Sequence, residues 1–347
     1  MSNIITDTDQ DVQSPKRRIA TTDTKLPVTI LTGFLGSGKT TCLNTFLHSS
    51  DAADTAVLIN EFGEIDVDGA VLSADLADGS KLLTLPNGCI CCAVQEDLAE
   101  ALLALVTRAK NPEENIRRCI VETTGLADPG SIIRGIGHDP RLNAATMVAQ
   151  TVTVCAADRL LEQLDRFEEV GRQVGIADCI VISKSDLVSP EAQSSVREAV
   201  AAINPLARVE AVAYGEIDPA RIFGPVKGAD YTLPEVPADK EGHHHHHTSA
   251  VETFTVRLDG PLEPGLFRDV MSFMIMRHAE NLLRIKGLVL FSGEDQPRLL
   301  NGVHDVFSSE VTGPDTLAAD QTGSIVFIGI DLPESVIRAD LKSCELC

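Results

Sequence analysis

Apolar residues along the first two thirds of the chain come in short continuous runs rather than in alternation. Val28-Thr29-Ile30-Leu31-Thr32, Ala56-Val57-Leu58-Ile59, Leu82-Leu83-Thr84-Leu85, Cys119-Ile120-Val121 and Cys179-Ile180-Val181-Ile182 each read as a strand, and a longer run covers 146–154. Strands with no polar face belong to parallel sheets covered on both sides. Between them, residues 40–47 place Leu43, Phe46 and Leu47 at helical spacing, and 98–109 do the same with Leu102, Leu105 and Val106. Alternating strands and helices predict an α/β domain with a mostly parallel sheet and right-handed crossovers over 25–228.

The pattern changes after a break. Residues 229–250 hold Pro234, Pro237, acidic residues and the run His243, His244, His245, His246, His247, and read as a linker loop. Beyond it, Phe254-Thr255-Val256-Arg257-Leu258 alternates like a half-buried strand. A helix is expected over 264–283, with Phe267, Val270, Met271 and Met274 on one face. Strands at 287–291 and 298–303 follow in hairpin style, then a strand at 324–330 and a helix at 333–341. This predicts a smaller α+β domain over 251–347. Residues 1–24 are polar, lack the apolar core of a secretory signal and read as a disordered tail.

Composition adds one constraint. The 51 acidic and 29 basic residues give a net charge of −22. Such a field repels phosphate backbones and anionic lipid, so neither nucleic acid nor a membrane surface is expected as a partner. No stretch approaches the roughly 18 apolar residues of a membrane span. A cytoplasmic location is expected, and the nine cysteines then read as free thiols or metal ligands rather than disulfides. Cys42, Cys119, Cys155 and Cys179 fall in helix or strand patterns and read as core. Cys344 and Cys347 have pair spacing, but a frayed terminus is the favoured reading over an auxiliary metal site.

The first candidate chemistry is Gly33-Phe34-Leu35-Gly36-Ser37-Gly38-Lys39-Thr40, with Thr41 following. It matches the phosphate-binding loop pattern and lies between a strand and a helix, as that loop requires. Gly36 and Gly38 free the backbone to aim N–H groups at phosphate oxygens, Lys39 can reach the β- and γ-phosphates, and the Thr40 hydroxyl suits Mg²⁺. Glu122 ends a buried strand, where a carboxylate can hold Mg²⁺ or orient the attacking water. The Gly125 N–H, three residues on, is placed to sense a γ-phosphate. After the 179–182 strand, Ser183-Lys184-Ser185-Asp186 offers a carboxylate that accepts two donors from guanine, a pair that adenine lacks. The Lys184 stem can lie over the purine. Ser183 stands where an Asn would support this loop.

The second candidate is Asn87-Gly88-Cys89-Ile90-Cys91-Cys92. Three thiolates in one short loop suit Zn²⁺, Cu⁺ or Co²⁺ and leave a coordination position open, which favours delivery over scaffolding. The five internal histidines would add loose metal affinity.

These residues together resemble the CobW-type metallochaperone GTPases, close to the HypB and UreG proteins. The resemblance is carried by the phosphate loop, by Asn60-Glu61-Phe62-Gly63-Glu64, by the Gly-Cys-x-Cys-Cys segment, and by Glu122-Thr123-Thr124-Gly125-Leu126-Ala127-Asp128-Pro129. In the small domain, Arg284-Ile285-Lys286-Gly287 and Phe327-Ile328-Gly329 also match. It implies GTP hydrolysis, with GTP, Mg²⁺ and Zn²⁺ bound, coupled to transfer of metal to a client apo-metalloprotein. It implies Cys89, Cys91 and Cys92 as the zinc ligands and a nucleotide-sensitive loop carrying Glu61 and Glu64; a homodimer is compatible with it. Cobalt, nickel or iron delivery, a non-enzymatic metal buffer and a small-molecule kinase are the rival readings.

Overall fold

The computed structural model describes residues 25–59, 81–84, 93–224, 250–312 and 323–346. The first sheet contains β1 (Leu26–Thr32), β2 (Thr55–Ile59), β3 (Lys81–Thr84), β4 (Arg118–Glu122), β5 (Thr146–Ala156), β6 (Cys179–Ser183) and β7 (Arg208–Ala211). All of its pairings are parallel, in the order β3-β2-β4-β1-β5-β6-β7.

The unbroken apolar runs have the cause inferred from them. Val28, Ile30, Leu58, Val121, Ile180 and Ile182 face one apolar cluster, built with helices α2 (Ala93–Ala109), α3 (Pro129–His138), α5 (Leu160–Arg166), α6 (Glu168–Ile176) and α7 (Pro190–Ile203). The alternate residues Leu31, Val57, Ile59, Ile120, Val152, Val154 and Val181 face another. This second cluster is shared with α1 (Lys39–Leu47) and the short α8 (Pro219–Phe223). A further short helix, α4 (Pro140–Ala145), precedes β5 and takes its cap from Asp139. The four core cysteines sit in these layers, and burial pushes the thiols of Cys42, Cys119 and Cys155 up to about 12 and that of Cys179 to about 11.

The second sheet holds β8 (Val251–Arg257), β9 (Leu282–Val289), β10 (Arg298–Val303), β11 (Val306–Val311) and β12 (Gly323–Ile330), all antiparallel, in the order β11-β10-β9-β12-β8. Helices α9 (Pro264–His278) and α10 (Glu334–Lys342) cover one face, around Ile285, Ile325 and Phe327. The other face, through Val251, Leu283, Val326 and Ile328, joins the cluster under α6 and α7. The chain thus adopts the α/β P-loop architecture with a smaller C-terminal α+β unit.

Three expectations need correction. The helix expected over 264–283 stops at His278, because Leu282 and Leu283 enter a strand whose alternate side chains fill the two clusters. The strand expected at 287–291 therefore begins at Leu282, and β11 was not anticipated, since its outward face is polar and exposed. Cys344 is not part of a frayed end. It is 1% exposed, its carbonyl accepts the Glu263 N–H, and the Leu346 N–H donates to the Pro261 carbonyl.

One buried ionic cluster fastens the two sheets together. Asp178, at the start of β6, accepts from the guanidinium of Arg284 and, at 3.4 Å, from the ammonium of Lys286, both on β9. Its second oxygen accepts the Thr151 N–H at 2.9 Å. Burial alone would raise the Asp178 carboxyl, but Arg284 and then Lys286 outweigh it and hold it below its ordinary value.

Candidate nucleotide site

The glycine loop leaves the C-terminal end of β1, which lies between β4 on one side and β5 on the other. That crevice is where open α/β sheets bind ligands. Gly33 has φ +141°, and a Cβ there would lie 2.2 Å from the Val154 carbonyl oxygen, so only glycine fits. The loop closes through a Ser37 N–H to Phe34 carbonyl bond of 3.1 Å and then feeds α1. The Lys39 ammonium lies 2.8 Å from the Gly33 carbonyl oxygen, directly over the loop.

β4 delivers its terminal carboxylate to the same place. Glu122 is 6% exposed, and its Oε1 accepts from the Thr40 hydroxyl at 3.3 Å, across 82 positions of sequence. The two together present a hydroxyl and a carboxylate to one point, an oxygen donor set suited to a hard divalent cation. Thr123 then fixes the exit of the strand. Its N–H donates to the Leu31 carbonyl, and its hydroxyl meets that of Thr32 at 2.9 Å. Gly125 follows, packed so closely on the phosphate loop that a Cβ would come within 2.7 Å of the Leu35 nitrogen.

The Ser183–Asp186 segment reaches the loop from β6. The Ser183 hydroxyl donates to the Ser37 carbonyl at 2.5 Å and to that of Cys155 at 3.3 Å, so the serine is tied directly into the phosphate loop. Lys184 takes a left-handed φ of +54° and its ammonium reaches the Gly36 carbonyl at 2.9 Å. Asp186 is exposed, with Oδ1 held by the Tyr214 N–H at 3.0 Å. It stands at the rim of a cavity of about 220 Å³ lined by Gly38, Thr41, Val181, Ser183, Lys184 and Tyr214.

Sequence reasoning missed several contributors. Tyr214 and Gly215 form the far wall, both with positive φ, and the Tyr-Gly step after β7 was a turn signal that could have been read. Phe167 packs against Phe34 with ring centroids 4.7 Å apart and planes tilted by 34°. Gln173 on α6 donates to the carbonyls of Gly125 and Ala127, each at 3.1 Å. His304, between β10 and β11, lies behind Asp128, the N-cap of α3. Nothing in the local pattern marks Phe167, Gln173 or His304, because their partners are remote in sequence.

Glu61, Glu64, Cys89, Cys91, Cys92 and His243, His244, His245, His246 and His247 lie outside the described residues, as do Cys347 and the 1–24 tail. Among the described residues there is no group of three or more metal-binding side chains, and no helix is long and apolar enough to cross a membrane.

Comparison with known proteins bears on these features. Residues 27–210 match the model of the CobW/HypB/UreG nucleotide-binding domain, and residues 251–345 that of the cobalamin synthesis protein cobW C-terminal domain. The chain is 35% identical over 319 residues to the zinc chaperone YjiA of Escherichia coli, covering 90% of this chain and 97% of that protein. It is 36% identical over 198 residues to the zinc-regulated GTPase metalloprotein activator 1 of Schizosaccharomyces pombe, covering 56% of this chain and 47% of that one. Its fold is similar to the crystal structure of Zn(II)-bound YjiA GTPase from E. coli, with a TM-score of 0.71, 29% identity, and coverage of 93% of this chain and all of that one. The chain belongs to the CobW/HypB/UreG family of P-loop GTPases.

Proposed function

We propose that this protein is a GTP-dependent zinc metallochaperone in which hydrolysis times the release of zinc to a client protein. One observation carries the nucleotide half of the reading: two remote segments meet at the phosphate loop. Glu122 touches Thr40, Ser183 and Lys184 bind loop carbonyls, and Asp186 stands over the adjoining cavity.

The roles follow from that placement. The backbone N–H groups of Gly36, Gly38 and Lys39, at the start of α1, would face a phosphate chain, and Lys39 would exchange loop carbonyls for β- and γ-phosphate oxygens. Thr40 and Glu122 would hold Mg²⁺, which when bound neutralises charge developing on the phosphates. Asp186 accepts the guanine N1–H and N2–H₂, and the Lys184 stem covers the ring. Ser183 substitutes a bond to the loop for the side-chain amide it lacks. Gly125 presents its N–H to the γ-phosphate and so reports hydrolysis.

The zinc half rests on Cys89, Cys91 and Cys92, whose spacing offers three thiolates and an open position. It is supported by zinc in the names of the two relatives above. Glu61, Glu64 and the His243–His247 run are auxiliary donors. The test is GTP turnover with Zn²⁺, Co²⁺ or Ni²⁺, in wild type, Lys39→Ala and Cys91→Ser. Turnover should vanish in Lys39→Ala, and the response to zinc should vanish in Cys91→Ser. Equal zinc affinity with GDP, a GTP analogue and no nucleotide would refute the coupling, since linked sites must influence each other reciprocally.

A further inference from the structure

Gln173 is 1% exposed and belongs to none of the phosphate, metal or base-reading segments. Its Nε2 donates to the carbonyls of Gly125 and Ala127, each at 3.1 Å. Carbonyls only accept, so the amide has one possible orientation, and its Oε1 is buried without a hydrogen-bond partner. A buried acceptor left unmade is costly, and here the cost accompanies a grip on the segment that leaves Glu122. The opposite side of that segment presses on Leu35 of the phosphate loop.

The helix that carries Gln173 is anchored at both ends. Phe167, at its N-terminus, packs tilted against Phe34 of the phosphate loop. At its C-terminus the Ile176 carbonyl accepts from Arg284 at 3.1 Å. Gly175 faces Leu283 and Ile328 of the second sheet so closely that a Cβ would lie 3.1 Å from Leu283. The Gln173 carbonyl itself accepts from the Thr153 hydroxyl on β5 at 2.8 Å.

We propose that Gln173 is a positioning residue for GTP hydrolysis: it sets the 125–127 backbone against the γ-phosphate, and its helix makes the C-terminal sheet part of that setting. The inference rests on the nucleotide reading above. It also supplies a route by which loss of the γ-phosphate moves the interface between the two sheets. When Gly125 is released from the phosphate, its carbonyl pulls on α6, and α6 cannot shift without disturbing Leu283, Ile328 and Arg284.

The experiment uses the full chain. Gln173→Leu keeps the size and removes both donors. GDP affinity should stay within about 2-fold of wild type, while kcat and the preference for a triphosphate analogue over GDP should each fall about 10-fold, the effect of about one charge-free hydrogen bond or two. Gln173→Glu is the second variant. Its ionised carboxylate faces two carbonyls, whereas the protonated form donates to one, so its kcat relative to wild type should rise as pH falls. This variant decides the matter if Gln173→Leu does not fold. A lower thermal midpoint with unchanged kcat and unchanged triphosphate preference would assign Gln173 a packing role only and overturn the proposal, as would a pH-independent ratio for Gln173→Glu. Wild-type turnover no higher than that of Lys39→Ala would instead overturn the nucleotide reading, and this inference with it.

Discussion

Replacing Asp178 with alanine should be among the most damaging changes remote from the nucleotide. The carboxylate is the shared counter-ion of Arg284 and Lys286, whose side chains are 3% and 2% exposed. Removing it takes the carboxylate away from two buried cations, of which the Arg284 guanidinium keeps its bond to the Ile176 carbonyl. Breaking a buried pair from one side costs about 3–5 kcal/mol. With a urea slope of about 1–3 kcal/mol per molar, the unfolding midpoint should drop by about 1 M or more. Because the cations lie on the second sheet and Asp178 on the first, a transition shared by the two sheets should also split into two. Urea titration followed by far-ultraviolet circular dichroism reads both effects. Adding Lys286→Met to Asp178→Ala should recover part of the loss, since it removes one of the two buried cations that lose the Asp178 carboxylate. Asp178 is held below its ordinary value of 3.8, so it contributes stability above that pH, and this is lost as pH falls from 3.8 through the folded-state value. Asp178→Ala should lack that acid-sensitive component. A midpoint shift under about 0.3 M, or a double variant weaker than Asp178→Ala alone, would refute the argument that the lost charge balance at Asp178 dominates.

Three further outcomes are expected. Gly33→Ala should abolish nucleotide binding in a fluorescent GDP titration, because its Cβ would sit 2.2 Å from the Val154 carbonyl oxygen; retained affinity would mean the loop does not need this shape. Burial lowers the His304 imidazole below its ordinary 6.5, against the pull of the Ala279 carbonyl and Asp128, so the folded chain resists protonation there. Stability should therefore decline as pH falls from 6.5 toward the folded value, and His304→Gln should flatten that stretch of a pH–stability curve. Native thiol titration should leave Cys42, Cys119, Cys155, Cys179 and Cys344 unreacted, all being buried, and zinc should protect Cys89, Cys91 and Cys92; rapid reaction of more than Cys89, Cys91, Cys92 and Cys347 would contradict the packing.

Much of the site was legible because its chemistry is local. The phosphate loop is eight consecutive residues whose glycines, lysine and threonine act through neighbouring backbone, so a linear pattern suffices. Glu122 was legible because it ends a buried strand and Asp186 because it follows one by three residues, and strand ends on one side of a parallel sheet converge. The helix boundary near His278 was misread because Leu282 and Leu283 continue a helical spacing, and only the two clusters they enter decide for a strand. Ser183 looked like a weakened position, yet its hydroxyl binds Ser37 and Cys155, a contact across 146 residues in the first case.

By itself, then, the sequence determined the α/β sheet, the phosphate loop, the candidate guanine reader and the thiol motif, since each depends on the order of residues along one element. The tertiary structure decided how those parts are joined. It brought Gln173 to Gly125, His304 behind Asp128 and Arg284 and Lys286 onto Asp178, pairs separated by 48, 176, 106 and 108 positions. No local periodicity encodes such pairs, because a buried amide or ion is selected by what faces it after folding, not by its neighbours in the chain.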